Sequence, residues 1–132
     1  MDINLGESGV YPVTLEELNV EIPRDLELGY TMTKGSERLR STIATLYNTE
    51  LTAENIVVTC GSSEANFLIT LLLAEKDKEF IVQLPNYMNT YGVLKSLGLK
   101  VKEWWLDSNE GFKVDIEKLK ELVNSKTKAI FI

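Results

Sequence analysis

The chain of 132 residues is 44% hydrophobic and 26% charged, carries a net charge of −6, and contains no histidine and one cysteine. That length and composition support one hydrophobic core, or a piece of a larger one, and supply no basic patch for nucleic acid or an anionic membrane. Histidine- or cysteine-cluster zinc sites and histidine-activated nucleophiles are excluded, and Cys60 can form no internal disulfide, which fits a reducing cytoplasm. Chemistry here must come from Lys, Tyr, Asp or Glu, or from a cofactor. The first four residues lack the basic start and apolar core of a signal peptide, and no stretch is long and apolar enough to span a bilayer.

Residues 1–29 read as an irregular arm, with Gly6, Gly9, Pro12 and Pro23 breaking any long element. Thr14 before Leu15-Glu16-Glu17-Leu18 signals one capped helical turn. After Lys34-Gly35-Ser36, Leu39, Ile43, Leu46 and Tyr47 recur at helical spacing, with Glu37, Arg38 and Arg40 assigned mostly to the outer face. A capped turn at Thr52 leads into an expected strand over 56–60. Residues 66–74 then form an apolar run that reads as a buried helix.

Lys76-Asp77-Lys78 makes an exposed turn before a strand over 80–84 that stops at Pro85. A helix over 89–97 ends at Gly98, a strand covers 101–106, and residues 107–111 form a turn. Asp115 caps a helix carrying Ile116, Leu119, Leu122 and Val123, and a further strand runs over 128–132. Strands alternating with helices of this length predict an α/β fold with a mostly parallel sheet between two helical layers. Parallel strands are normally covered on both faces, so a chain that stops inside an apolar strand is expected to be the first part of a larger domain.

One passage carries most of the functional information. Gly61-Ser62-Ser63-Glu64-Ala65 lies between the expected strand at 56–60 and the apolar helix. A strand turning through glycine and serines into a helix aims backbone N–H groups at one spot, where the helix dipole adds positive charge, and this suits a phosphate. The same residues also suit an ordinary turn in which Ser62 or Ser63 caps the helix. Cys60 beside them reads as a buried strand-end residue with no histidine to activate it.

Four passages in order resemble the amino-terminal part of the fold-type I pyridoxal-phosphate enzymes, specifically the class I/II aminotransferases. They are Asn4-Leu5-Gly6-Glu7, Tyr30 with Gly35 and Leu39-Arg40, Gly61-Ser62-Ser63-Glu64-Ala65, and Pro85-Asn86-Tyr87. The resemblance implies residues 1–29 as an N-terminal arm and 30–132 as the first part of the large pyridoxal-phosphate-binding domain. It implies that Gly61, Ser62 and Ser63 hold the cofactor phosphate and that Tyr87 stacks on the pyridine ring. Tyr30 would reach the phosphate of the neighbouring subunit of a homodimer, and Gly6 would lie near the substrate carboxylate.

The reaction implied is amino-group transfer between an amino acid and a 2-oxo acid. The family's covalent cofactor lysine, and its aspartate on the pyridinium nitrogen, fall beyond the last residue; Lys34, Lys76 and Lys128 match no such motif. No catalytic residue is therefore assigned, and the isolated chain is expected to be inactive and prone to self-association. Two other readings stay open on sequence alone: a non-catalytic binding module, and a fragment of a lyase or decarboxylase of the same fold type.

Overall fold

The computed structural model describes residues 6, 9–47 and 49–132. The chain divides into two compact units, 1–32 and 33–132. In the first, Thr14 and Glu17 form a reciprocal pair: Thr14 N–H donates to Glu17 Oε2 at 2.7 Å and Glu17 N–H donates to Thr14 Oγ1 at 3.1 Å. This closes the one helical turn signalled by the sequence, and no longer element occurs among the described residues of this unit. Asn4, Leu5 and Glu7 of the arm passage lie outside the described residues, as does the chain start at 1–4; Gly6 sits in a bend.

The second unit holds α1 (Glu37–Ala44), α2 (Ser62–Leu73), β1 (Glu79–Leu84), α3 (Asn89–Ser96), β2 (Lys100–Trp105), α4 (Ile116–Leu122) and β3 (Thr127–Phe131), with single 3-10 turns at Ala53–Asn55 and Ser108–Glu110. The strands form a parallel sheet in the order β2-β1-β3, with Phe80 opposite Val101 on one side and Ala129 on the other. Phe80, Val82 and Leu84 alternate onto one face and pack with Leu94 and Leu99, flanked by Leu73 of α2 and Tyr91 of α3. Lys102 alternates to the opposite face, where its ammonium meets the Leu122 carbonyl at the end of α4 at 2.8 Å. The result is the expected helix–sheet–helix layering around β1, whose Phe80 and Ile81 are fully buried.

Local signals account for most element ends. Ser36 accepts from Leu39 N–H, Asp115 accepts from Lys118 N–H, and Gly98 closes α3 at φ +69°. The carbonyl end of α4 is held from the sheet: Lys102 also pairs with Glu79 at 2.8 Å, and Asn124 Nδ2 donates to Glu79 at 2.8 Å. These contacts hold the Glu79 carboxyl below its ordinary range, Lys102 contributing most.

Four expectations are corrected. The run at 56–60 joins no ladder: Ile56 is extended and Cys60 lies in a bend, the Val58 N–H is taken by the Lys34 carbonyl at 2.9 Å, and no described strand pairs with the run. The sheet has three strands, not four. The apolar helix is not buried: only Thr70 of α2 is, while Phe67, Leu68, Ile69 and Leu71 are half-exposed and Leu72 is 84% exposed. Its apolar residues surround the axis, and a small sheet covers one side. Arg40 is not on an outer face; it is 4% exposed, donating to the carbonyls of Gly35 (3.1 Å) and Ala53 and pairing with Glu54 at 3.3 Å. Among the described residues no helix is long and apolar enough to cross a membrane.

Gly35 joins these pieces. Its φ is +89°, and a Cβ there would meet the Val58 Cβ at 2.7 Å. Gly35→Ala is expected to lower stability by about 1–2 kcal/mol from the left-handed backbone alone, with the clash adding to it. Gly92→Ala, in α3 with nothing near its Cβ, is expected to be neutral or stabilising. Urea unfolding of both variants checks this, and equal midpoints would contradict it. A second expectation concerns acid. Glu79 and Glu54 both have lowered folded values, so the stability they contribute is present above about pH 4.5 and is lost as pH falls through those values. Glu79→Gln should flatten that acid loss in a pH series of melting curves.

Candidate functional site

The run 56–60 enters a tight elbow before α2. Gly61 N–H donates to the Thr59 carbonyl and the Thr59 hydroxyl donates to the Gly61 carbonyl, both at 2.9 Å. Gly61 itself is the N-cap residue of α2, at φ +82° and ψ 171°, a conformation strained for any residue with a Cβ. It offers no side-chain oxygen, and no other side chain caps the helix. Of the two sequence readings, the serine cap is therefore absent: Ser62 and Ser63 are the first two helical residues, and neither hydroxyl turns back onto the first-turn amides. Those amides, of Ser62, Ser63 and Glu64, are the donors that an α-helix cannot satisfy internally, and they point out of the helix start.

Topology brings a second element to the same place. A helix that precedes a parallel strand runs antiparallel to it, so the start of α2 lies by the carboxyl end of β1. There β1 gives way to cis Pro85, Asn86 and Tyr87. Asn86 Oδ1 accepts the Tyr87 N–H at 2.7 Å, which fixes the backbone just before α3. The Tyr87 hydroxyl then lies 3.2 Å from Ser63 Oγ, within hydrogen-bond distance across 24 positions of sequence. Ser62, Ser63 and Tyr87 are all exposed, Tyr87 by 65%, so the cluster opens to solvent.

The remaining candidates lie elsewhere. Gly6 and Tyr30 belong to the first unit, Gly6 in a bend and Tyr30 fully exposed outside any helix or strand. Cys60 is exposed rather than buried, because the expected strand does not form and Cys60 lies in the bend that leads into the elbow. Lys34 and Lys128 are surface ion pairs with Glu54 at 3.0 Å and Glu75 at 2.9 Å. One participant escaped the sequence reading. The Glu64 carboxylate reaches back to accept the Cys60 N–H. A glutamate three residues after an N-cap is the signal that could have found it.

An open turn of first-turn amides and two serine hydroxyls, with a tyrosine whose hydroxyl reaches one of them, suits a ligand with one phosphate and one flat ring. The model of the family described as aminotransferase class I and II matches residues 5–132. A probable aspartate aminotransferase of Methanocaldococcus jannaschii is 32% identical over 105 residues, covering 76% of this chain and 28% of that protein. The aspartate aminotransferase of Sulfolobus acidocaldarius is 29% identical over 129 residues, covering 90% of this chain and 32% of that protein. Among solved structures, a PLP-dependent aminotransferase from Streptococcus suis superposes with a TM-score of 0.72 at 33% identity, over 80% of this chain and 28% of its own. The chain thus spans less than a third of the length of each of these relatives.

If the two hydroxyls hold the elbow and the strand end together, Ser63→Ala and Tyr87→Phe are not additive. A double-mutant cycle in urea is expected to give a coupling of about 0.5–1 kcal/mol, within the range of a net hydrogen bond. Additive losses would show that the two elements are merely adjacent.

Proposed function

The chain belongs to the class I and II aminotransferase family, and on that premise we propose that its second unit supplies the phosphate seat and ring platform of a pyridoxal-phosphate-dependent aminotransferase. The donor set fits the group. A helix start without a side-chain cap presents free amides to a phosphate dianion, and Ser62 and Ser63 add hydroxyl donors at the same end. Gly61 keeps the approach open, since nothing lies within 4 Å of where its Cβ would be. The observation that carries the reading is the 3.2 Å approach of Ser63 Oγ to the Tyr87 hydroxyl, which sets an aromatic ring beside the anion seat.

When bound, pyridoxal phosphate supplies the electron sink that allows an amino group to pass between an amino acid and a 2-oxo acid. The residues of this chain bind and orient. Gly61, Ser62 and Ser63 fix the phosphate, and the Tyr87 ring lies over the pyridine, setting its plane and excluding water from one face. Residues 1–29 act as an arm whose Gly6 borders the substrate carboxylate, and residues 30–132 begin the large domain. Tyr30 completes the phosphate seat of a second subunit, so the working form is a homodimer in the cytoplasm. The half-exposed apolar residues of α2 favour self-association of the chain by itself. Alone it holds the cofactor by its phosphate and transfers no amino group.

Equilibrium binding tests this with two ligands that differ only in the phosphate. Pyridoxal 5′-phosphate is expected to bind the chain at least about tenfold more tightly than pyridoxal, and Ser62→Ala combined with Ser63→Ala should remove about tenfold of that preference. Equal affinity for the two ligands would overturn the phosphate-seat assignment.

A further inference from the structure

Glu64 presents a physical problem at this seat. An acidic side chain in the first turn of a helix is the nearest competitor for the amides that an anion would use, and its charge repels that anion. In the usual capping box the carboxylate at this position takes the amide of the N-cap residue. Here it bonds one residue earlier, to the Cys60 N–H, while Gly61 N–H is occupied by the Thr59 carbonyl. The carboxylate is therefore committed upstream of the elbow, and the amides of Ser62 and Ser63 are left clear.

Resting on the phosphate-seat reading above, we infer that Glu64 is a positioning residue for the seat: as an acceptor for Cys60 N–H it fixes the left-handed elbow at Gly61 and parks its own side chain away from the phosphate donors. The chemistry asked of it is acceptance of one hydrogen bond, which an amide oxygen performs as well as a carboxylate. Glu64→Gln keeps the acceptor and removes the charge; Glu64→Ala removes both. A role in charge alone predicts that the two variants behave alike, whereas a role in geometry predicts that Glu64→Gln binds and Glu64→Ala does not bind as well.

The test follows the backbone amide NMR shifts of residues 60–65 in the full 132-residue chain during titration with pyridoxine 5′-phosphate, which has no aldehyde to react with lysine, and with inorganic phosphate. Glu64→Ala is expected to weaken binding about tenfold for both ligands, the scale of a lost cap, while Glu64→Gln stays within about threefold of the unsubstituted chain or binds more tightly. The amide shifts of β1 report whether each variant is folded. Should Glu64→Ala lose them, Glu64→Met, which keeps the length without the acceptor, takes its place with the same expectation. Unchanged affinity in the variant without an acceptor overturns the role of Glu64, as does a Gln variant as weak as the Ala variant. Absence of any shift at Ser62 and Ser63 in the unsubstituted chain overturns the seat itself, and this inference with it.

Discussion

The backbone at Gly61 must turn from the run 56–60 into a helix within one residue, and it does so at a positive φ that leaves the helix start without a side-chain cap. An N-terminus without a side-chain cap is a small standing cost to a monomeric helix, since a glycine N-cap forgoes roughly a few tenths of a kcal/mol relative to serine or aspartate. The same omission is what an anion site needs. Serines at the first two helical positions can donate outward only because neither is engaged in capping. In the proposed seat, stability given up locally would be the condition for binding, and the surrounding contacts hold the chain on either side of the elbow.

Those contacts form a chain of support that begins far from the elbow. Arg40, buried on α1, ties the Gly35 carbonyl to the Ala53 carbonyl and Glu54. Lys34 then accepts from Val58, and Gly35 packs against the Val58 side chain at a distance that no Cβ could share. The run 56–60 is held in place by this clasp instead of by a ladder, and it delivers the chain to Gly61. On the far side, β1 passes through the core and delivers Tyr87. A buried arginine whose donors meet carbonyls and a carboxylate is the arrangement that makes its burial tolerable.

The sequence made the local features legible and left the tertiary ones hidden. Ser36, Asp115 and Gly98 mark helix ends through contacts within three or four residues, and these are visible in the order of residues. The run at 56–60 has the composition of a strand, but a strand also needs a neighbour, and pairing is not written in the run itself. Arg40 looked like a surface charge because its partners Ala53 and Glu54 come 13 and 14 residues later. The helix at 66–74 is apolar on every side, so no pattern indicated which side the sheet would leave open. At the site, the turn and the aromatic residue were each readable, whereas their 3.2 Å approach is a product of the parallel topology.

The central claim is that the amides and hydroxyls after Gly61 seat a phosphate beside the Tyr87 ring. A crystal structure of the chain grown with pyridoxine 5′-phosphate tests it most directly. The account predicts phosphate oxygens about 2.7–3.2 Å from the amides of Ser62 and Ser63, with the Tyr87 ring over the pyridine. A phosphate bound at another place, or one at the elbow whose ring turns away from Tyr87, would contradict it.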